Sequence, residues 1–180
     1  MIKIQENLLS RGPNRPGDKI VPKLIIVHRT GNPGTTALAN RNYFESLNHP
    51  PRAGKDYASA HYIVDAGNII RCIPENERAH HCVGANQTSI GIETFEPYNE
   101  QAYRNLINLV VDICRRHGFK PTPEYIQTHS KYDPTRRPYD PFSWSVYQTG
   151  KSVPGRDLFD PHKFYRDVAA AYAAGGGNAA

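Results

Sequence analysis

Two short stretches, about a hundred residues apart, each run into a histidine. The first, Leu24-Ile25-Ile26-Val27-His28, is a continuous apolar run, the pattern of a central strand covered on both faces. Thr30-Gly31-Asn32 then turns the chain. The second, Tyr125-Ile126-Gln127-Thr128, is a shorter strand that ends at His129 and is followed by a polar, Pro-rich loop leading to Asp140. Two imidazoles on strand ends and one carboxylate on a loop form the donor set of a catalytic zinc ion. Three protein ligands leave a fourth position open.

The rest of the chain alternates strands and helices. Thr35 to Asn48 reads as a helix capped by Thr35 or Thr36, with Leu38, Tyr43, Phe44 and Leu47 facing inward. Ala60–Val64 and Ile69–Ile73 flank Asp65-Ala66-Gly67-Asn68, a hairpin turn signal. Ser89 to Phe95 is a further strand. Gln101 to His117 is the clearest helix: Tyr103, Leu106, Ile107, Val110, Val111, Ile113 and Cys114 form a broad apolar face, and Gly118 supplies the C-cap. Asp160 to Ala174 reads as a last helix. These elements predict an α/β fold, a central mixed β-sheet covered by helices. Residues 1–174 form one domain, in which the polar, Pro-containing residues 1–22 are an arm over the surface. Residues 175–180 are a Gly-rich tail or the start of a linker.

Bulk properties narrow the function classes. A chain of 180 residues has enough length for one sizeable core. The formal charge of +5 suits an acidic polymer, nucleic acid or an anionic cell wall. No dense Lys/Arg run, zinc-finger spacing or aromatic-basic repeat points to nucleic acid, so none is expected as a partner. No apolar run approaches the ~18 residues of a membrane span, so no membrane insertion is expected. Met1 to Asn7 contains no apolar core of a secretory signal. The three cysteines, Cys72, Cys82 and Cys114, form no CxxC pair and read as reduced thiols. A monomer is the default.

Five features occur in a fixed order: the His28 strand, Ser59-Ala60-His61-Tyr62-Ile63-Val64-Asp65, Ala79-His80-His81, Ser89-Ile90-Gly91-Ile92-Glu93, and His129 through Asp140-Pro141. In that order they resemble the zinc-dependent N-acetylmuramoyl-L-alanine amidases of type 2. That family includes amidase-type phage lysozymes and, as animal relatives, peptidoglycan recognition proteins. The resemblance extends from about Lys23 to about Val168. It implies a peptidoglycan substrate and Zn2+ held by His28, His129 and Asp140. It also implies a protein made in the cytoplasm that reaches the cell wall after release, as a phage endolysin or an autolysin.

The same resemblance assigns further roles. Glu93 becomes the general base; Glu96 lies on the other side of the strand alternation. Relatives often carry a lysine shortly before the last metal ligand. Here Arg136-Arg137 occupy that stretch, so Arg137 is the candidate for stabilising the oxyanion. Ala60 stands where some phage relatives place a tyrosine. His81 is expected to line the cleft, touching substrate or the metal's outer shell, and His61 to be bonded within the sheet. Asn86 and Thr88 are candidates for the stem peptide, or for a turn. Asp133-Pro134 and Asp160-Pro161 compete with Asp140 as third ligand, and Val153 stands where a cysteine-type relative has its ligand. Cys82 is expected to be a small residue packed beside the site. Two rival readings remain: a non-catalytic peptidoglycan-binding module, and a zinc endopeptidase cutting within the stem peptide.

Overall fold

The computed structural model describes residues 2–94, 99–137, 140–141 and 161–175. A six-stranded mixed sheet runs through the molecule. Its strands are β1 (Gln5–Glu6), β2 (Leu24–Arg29), β3 (Tyr62–Val64), β4 (Ile69–Arg71), β5 (Ser89–Thr94) and β6 (Ile126–Thr128), in the spatial order β1-β4-β3-β5-β2-β6. β3, β5, β2 and β6 are mutually parallel. β4 returns antiparallel to β3, as the Asp65–Asn68 turn requires, and β1 pairs parallel with β4.

The alternation of side chains along the strands divides the core into two. Ile25 and Val27 of β2 and Ile90 and Ile92 of β5 face one side, with Tyr62, Val64 and Ile126. α2 (Glu100–His117) and α3 (Pro161–Ala174) cover that side. All seven apolar residues expected on the inner face of α2 are buried. Asn99 Oδ1 caps its first turn, and Gly118 ends it in the left-handed conformation, φ 69°. On the opposite face, α1 (Ala37–Ser46) packs over Ile63 and Ile70, on the β3 and β4 side of the sheet.

Two expectations need correction. α1 begins with Thr36 as N-cap and buries Ala37, Asn40 and Phe44; Leu47 behind it is also buried. Leu38 and Tyr43 are instead 45% and 46% exposed. The inward stripe starts at Ala37, so Leu38 falls one position off it. Residues 1–22 are also more than a surface arm. They contribute edge strand β1 and bury Leu9, Asn14 and Ile20. The arm is fastened at Glu77, a buried carboxylate that accepts from Arg11 and Arg15 at 2.9 Å and from Lys19 at 3.4 Å.

A second, partly buried carboxylate couples stability to pH. Burial alone would raise the pKa of Glu75. Hydrogen bonds from Arg116, His117 and Tyr62 outweigh it and hold the pKa down at about 2. A folded-state pKa below the ordinary 4.5 means that the unfolded chain binds the proton first. The contribution is therefore present above about pH 4.5 and fades as pH falls toward 2. Glu75→Gln should lose less stability than the parent between neutral pH and about pH 3, read as the shift in urea midpoint. Equal losses in the two proteins would contradict this.

Candidate metal centre

The site lies at the carboxyl ends of parallel strands, where α/β sheets usually bind ligands. β2 and β5 are in register there, with His28 opposite Glu93. Directly opposed residues of paired strands project to the same face, so imidazole and carboxylate both rise on the face of the sheet opposite α2. β6 ends at Thr128, and a single 3₁₀ turn, His129–Lys131, lifts the next imidazole toward them.

Asp140 reaches the site through the backbone of β2. β6 pairs with β2 only as far as Val27. The next N–H of β2 on that side belongs to Arg29, and it donates to Asp140 Oδ1 at 2.8 Å. The carboxylate thus continues the ladder where β6 stops. Oδ1 is thereby fixed and Oδ2 is turned toward the histidines. Asp140 is 1% exposed. Ser130 N–H also donates to its carbonyl at 3.1 Å, tying the loop to the 3₁₀ turn.

Three donor atoms converge. His28 Nδ1 and His129 Nδ1 are 3.1 Å apart. Asp140 Oδ2 is 3.3 Å from His129 Nδ1 and 4.0 Å from His28 Nδ1. Zinc bonds of about 2.0–2.1 Å at tetrahedral angles put ligand atoms about 3.3 Å apart. The triangle therefore matches the size of a zinc site in which one face stays open. Burial, then the neighbouring His81, His129 and Arg137, holds the pKa of His28 well below 6.5. His28 is thus a neutral imidazole near neutral pH, the form that binds metals.

The alternatives for the third ligand separate on geometry. Asp133 is held by Arg136, whose Nε donates to Oδ2 at 2.8 Å, and among the described residues it does not join the ligand group. Asp160 and Val153 lie outside the described residues, as do Phe95 and Glu96. Cys82 is buried beside the site, but burial, with Asp140 and Asp133 nearby, pushes its thiol up to about 12. It stays protonated and packs against Ile26 and Ala85.

Glu93 is partly buried, and its Oε2 is shielded from solvent with no hydrogen-bond partner among the described residues. Burial and the charge of Asp140 raise its pKa well above 4.5, and Arg137 pulls it back. The Arg137 side chain is exposed. Its loop is fixed by Arg137 N–H donating to the Asp133 carbonyl at 2.8 Å, and by the Arg137 carbonyl accepting from Asp140 N–H at 3.2 Å. Glu93, Arg137, His129 and Asp140 share a cleft of about 840 Å3. α1 forms one wall with Asn40, Tyr43 and Phe44, and loops carrying Tyr57, His80 and Val83 form another.

The remaining expected residues have more varied positions. His81 is buried behind His28, and its Nδ1 lies 2.8 Å from His28 Nε2. That contact is with one of the candidate metal ligands. Asn86 lines the cleft, yet its Oδ1 accepts from the N–H groups of His81 and Cys82 at 3.0 and 2.7 Å, so it shapes the loop. Thr88 stands apart from the cleft. It precedes β5 at the far end from Glu93, its carbonyl accepts from Lys23 N–H at 2.7 Å, and it does not line the cleft. It lies five residues before Glu93 along the strand, about 16 Å away, a position that suits the turn. His61 is fully buried and spans the sheet: Nδ1 accepts from Gly91 N–H, and Nε2 donates to the Glu77 carbonyl, both at 2.9 Å. The role of Ser89 was not visible in the sequence. Its hydroxyl lies 3.2 Å from His81 Nε2.

Known proteins share this sequence pattern and architecture. The family pattern described as N-acetylmuramoyl-L-alanine amidase matches residues 17–142. A probable N-acetylmuramoyl-L-alanine amidase of Bacillus licheniformis is 35% identical over 136 residues, covering 66% of this chain. The amidase CwlL of the same organism is 32% identical over 136 residues. The chain spans 38% and 37% of the length of these two relatives. Among solved structures, PlyL superposes with a TM-score of 0.71 at 22% identity, covering 93% of this chain and 97% of PlyL. The catalytic domain of XlyA gives 0.68 at 24% identity, covering 93% and 99%. These likenesses carry the fold, and the family match covers both strand-end histidines, Glu93 and Asp140: the chain belongs to the N-acetylmuramoyl-L-alanine amidase family.

Proposed function

We propose that this domain hydrolyses the amide between the lactyl group of N-acetylmuramic acid and L-alanine in peptidoglycan, with zinc held by His28, His129 and Asp140. One observation supports this reading most. Two buried donors, His28 and Asp140, and the partly buried His129 close around one point, and Glu93 rises beside them from the same face of the sheet. The domain would act on the wall after release from the cytoplasm, as an endolysin or autolysin.

When bound, zinc supplies a Lewis acid that polarises the scissile carbonyl and makes water acidic near neutral pH. The chain's own groups do the rest. Glu93 takes the proton from the attacking water as the new C–O bond forms. It then hands that proton to the alanine nitrogen as the C–N bond breaks. The Arg137 guanidinium, whose charge acts on both Glu93 and His28, opposes the negative charge that develops on the carbonyl oxygen.

Digestion of purified peptidoglycan tests the reaction. New amino groups should belong to L-alanine, with no new reducing sugars, and a chelator should stop their release until zinc is returned. Reducing ends would mean a glycosidase. Amino groups from deeper in the stem would mean an endopeptidase. Co-sedimentation with the wall without any release would mean a binding module.

A further inference from the structure

Beneath the ligand triad, a line of hydrogen bonds ends at a main-chain carbonyl. Ser89 Oγ is 2.7 Å from the Ala85 carbonyl oxygen, and a carbonyl can only accept. The single hydroxyl proton of Ser89 therefore points at Ala85. Toward His81 Nε2, 3.2 Å away, Ser89 can offer only a lone pair, so that ring nitrogen carries a proton. In a neutral imidazole the other nitrogen is then bare. His81 Nδ1, 2.8 Å from His28 Nε2, must accept, and His28 Nε2 must donate. The last consequence falls on His28 Nδ1. It is left without a proton, its lone pair directed at His129 and Asp140.

We propose that Ser89 and His81 are positioning residues that lock His28 in the tautomer whose Nδ1 is free to bind metal. The inference rests on the reading of His28 as a ligand. Its geometry is independent of that reading. Ser89 and His81 are both buried, at 0% and 9% exposure, so water does not compete for these bonds. The place of the ring is also built into the backbone. A Cβ on Gly91 would lie 2.5 Å from His81 Cγ and 2.7 Å from its Nδ1. Only glycine at this position of β5 lets the imidazole lie against the strand beside His28. Asn86 holds the backbone of His81 from the other side, through the 3.0 Å bond to its N–H. A metal-bound imidazole whose second nitrogen donates to a fixed acceptor is a recurring device, and losing the acceptor commonly weakens metal affinity by about 10–100-fold. Here the acceptor is a second histidine, itself set by a serine.

Two measurements on the full chain test the proposal. Nitrogen-15 NMR of the metal-free protein should show His28 and His81 both protonated at Nε2 and bare at Nδ1. His28 protonated at Nδ1 would overturn the relay, whatever the metal does. Zinc affinity, by competition with a chromogenic chelator, should fall about 10–100-fold in His81→Leu. In His81→Asn it should stay within about threefold of the parent, because the amide oxygen stands close to where Nδ1 stood. Equal losses in both variants would reduce His81 to a packing role and overturn the proposal. If His81→Leu does not fold, the tautomers of the parent still decide. A parent chain that binds no zinc but shows the stated tautomers would defeat the metal reading and leave the relay standing.

Discussion

His28→Ala, His129→Ala and Asp140→Ala should each strip the protein of stoichiometric zinc and reduce wall hydrolysis to background. All three donors lie within 4.8 Å of one another, so none of them has a substitute within the group. Removing one leaves two protein ligands, too few for a stable catalytic zinc site. The Asp140 variant carries a further cost. Its Oδ1 satisfies the Arg29 N–H at the edge of β2, so the truncated chain also leaves a buried donor unpaired, worth about 1–3 kcal/mol. A modest drop in melting temperature should therefore accompany its loss of zinc. Asp133→Ala, which removes a carboxylate already held by Arg136, should keep both metal and activity. Full zinc and full activity in either histidine variant would dismantle the triad.

Glu93→Gln should separate metal binding from chemistry. The amide keeps the shape of the side chain and cannot take a proton. The variant should fold, bind zinc like the parent, and hydrolyse peptidoglycan more slowly by about 10²–10⁴-fold, the range that a positioned base contributes. Because Glu93 Oε2 has no partner among the described residues, the substitution breaks no hydrogen bond there. A slow variant with an unchanged melting temperature would therefore place the loss in the reaction. Activity within about threefold of the parent would move the base elsewhere.

Periodicity revealed those elements whose burial repeats over several turns or residues. The α2 stripe and the apolar run Leu24–Val27 of β2 are examples, since both pack into a continuous core. β1 was not legible because two residues form no alternating pattern and both are exposed. The inner face of α1 is poorly marked in the sequence because a ten-residue helix offers few turns to average over, and Tyr43 borders the cleft and not the core. The ligand candidates were legible because strand ends and an Asp-Pro loop carry local signals. The choice between Asp133 and Asp140 was not. It depends on which carboxylate meets the Arg29 N–H, a contact spanning 111 residues of chain. The pairing of His81 with His28 was equally hidden: it depends on a missing side chain at Gly91, which a sequence reads only as one more strand glycine.

Metal analysis of the purified protein beside its Asp140→Ala variant tests the central claim most directly. The account predicts about one zinc per chain in the parent and almost none in the variant, with peptidoglycan amide hydrolysis following the zinc content. Equal zinc in the two proteins, or full hydrolysis by a parent stripped of metal, would contradict it.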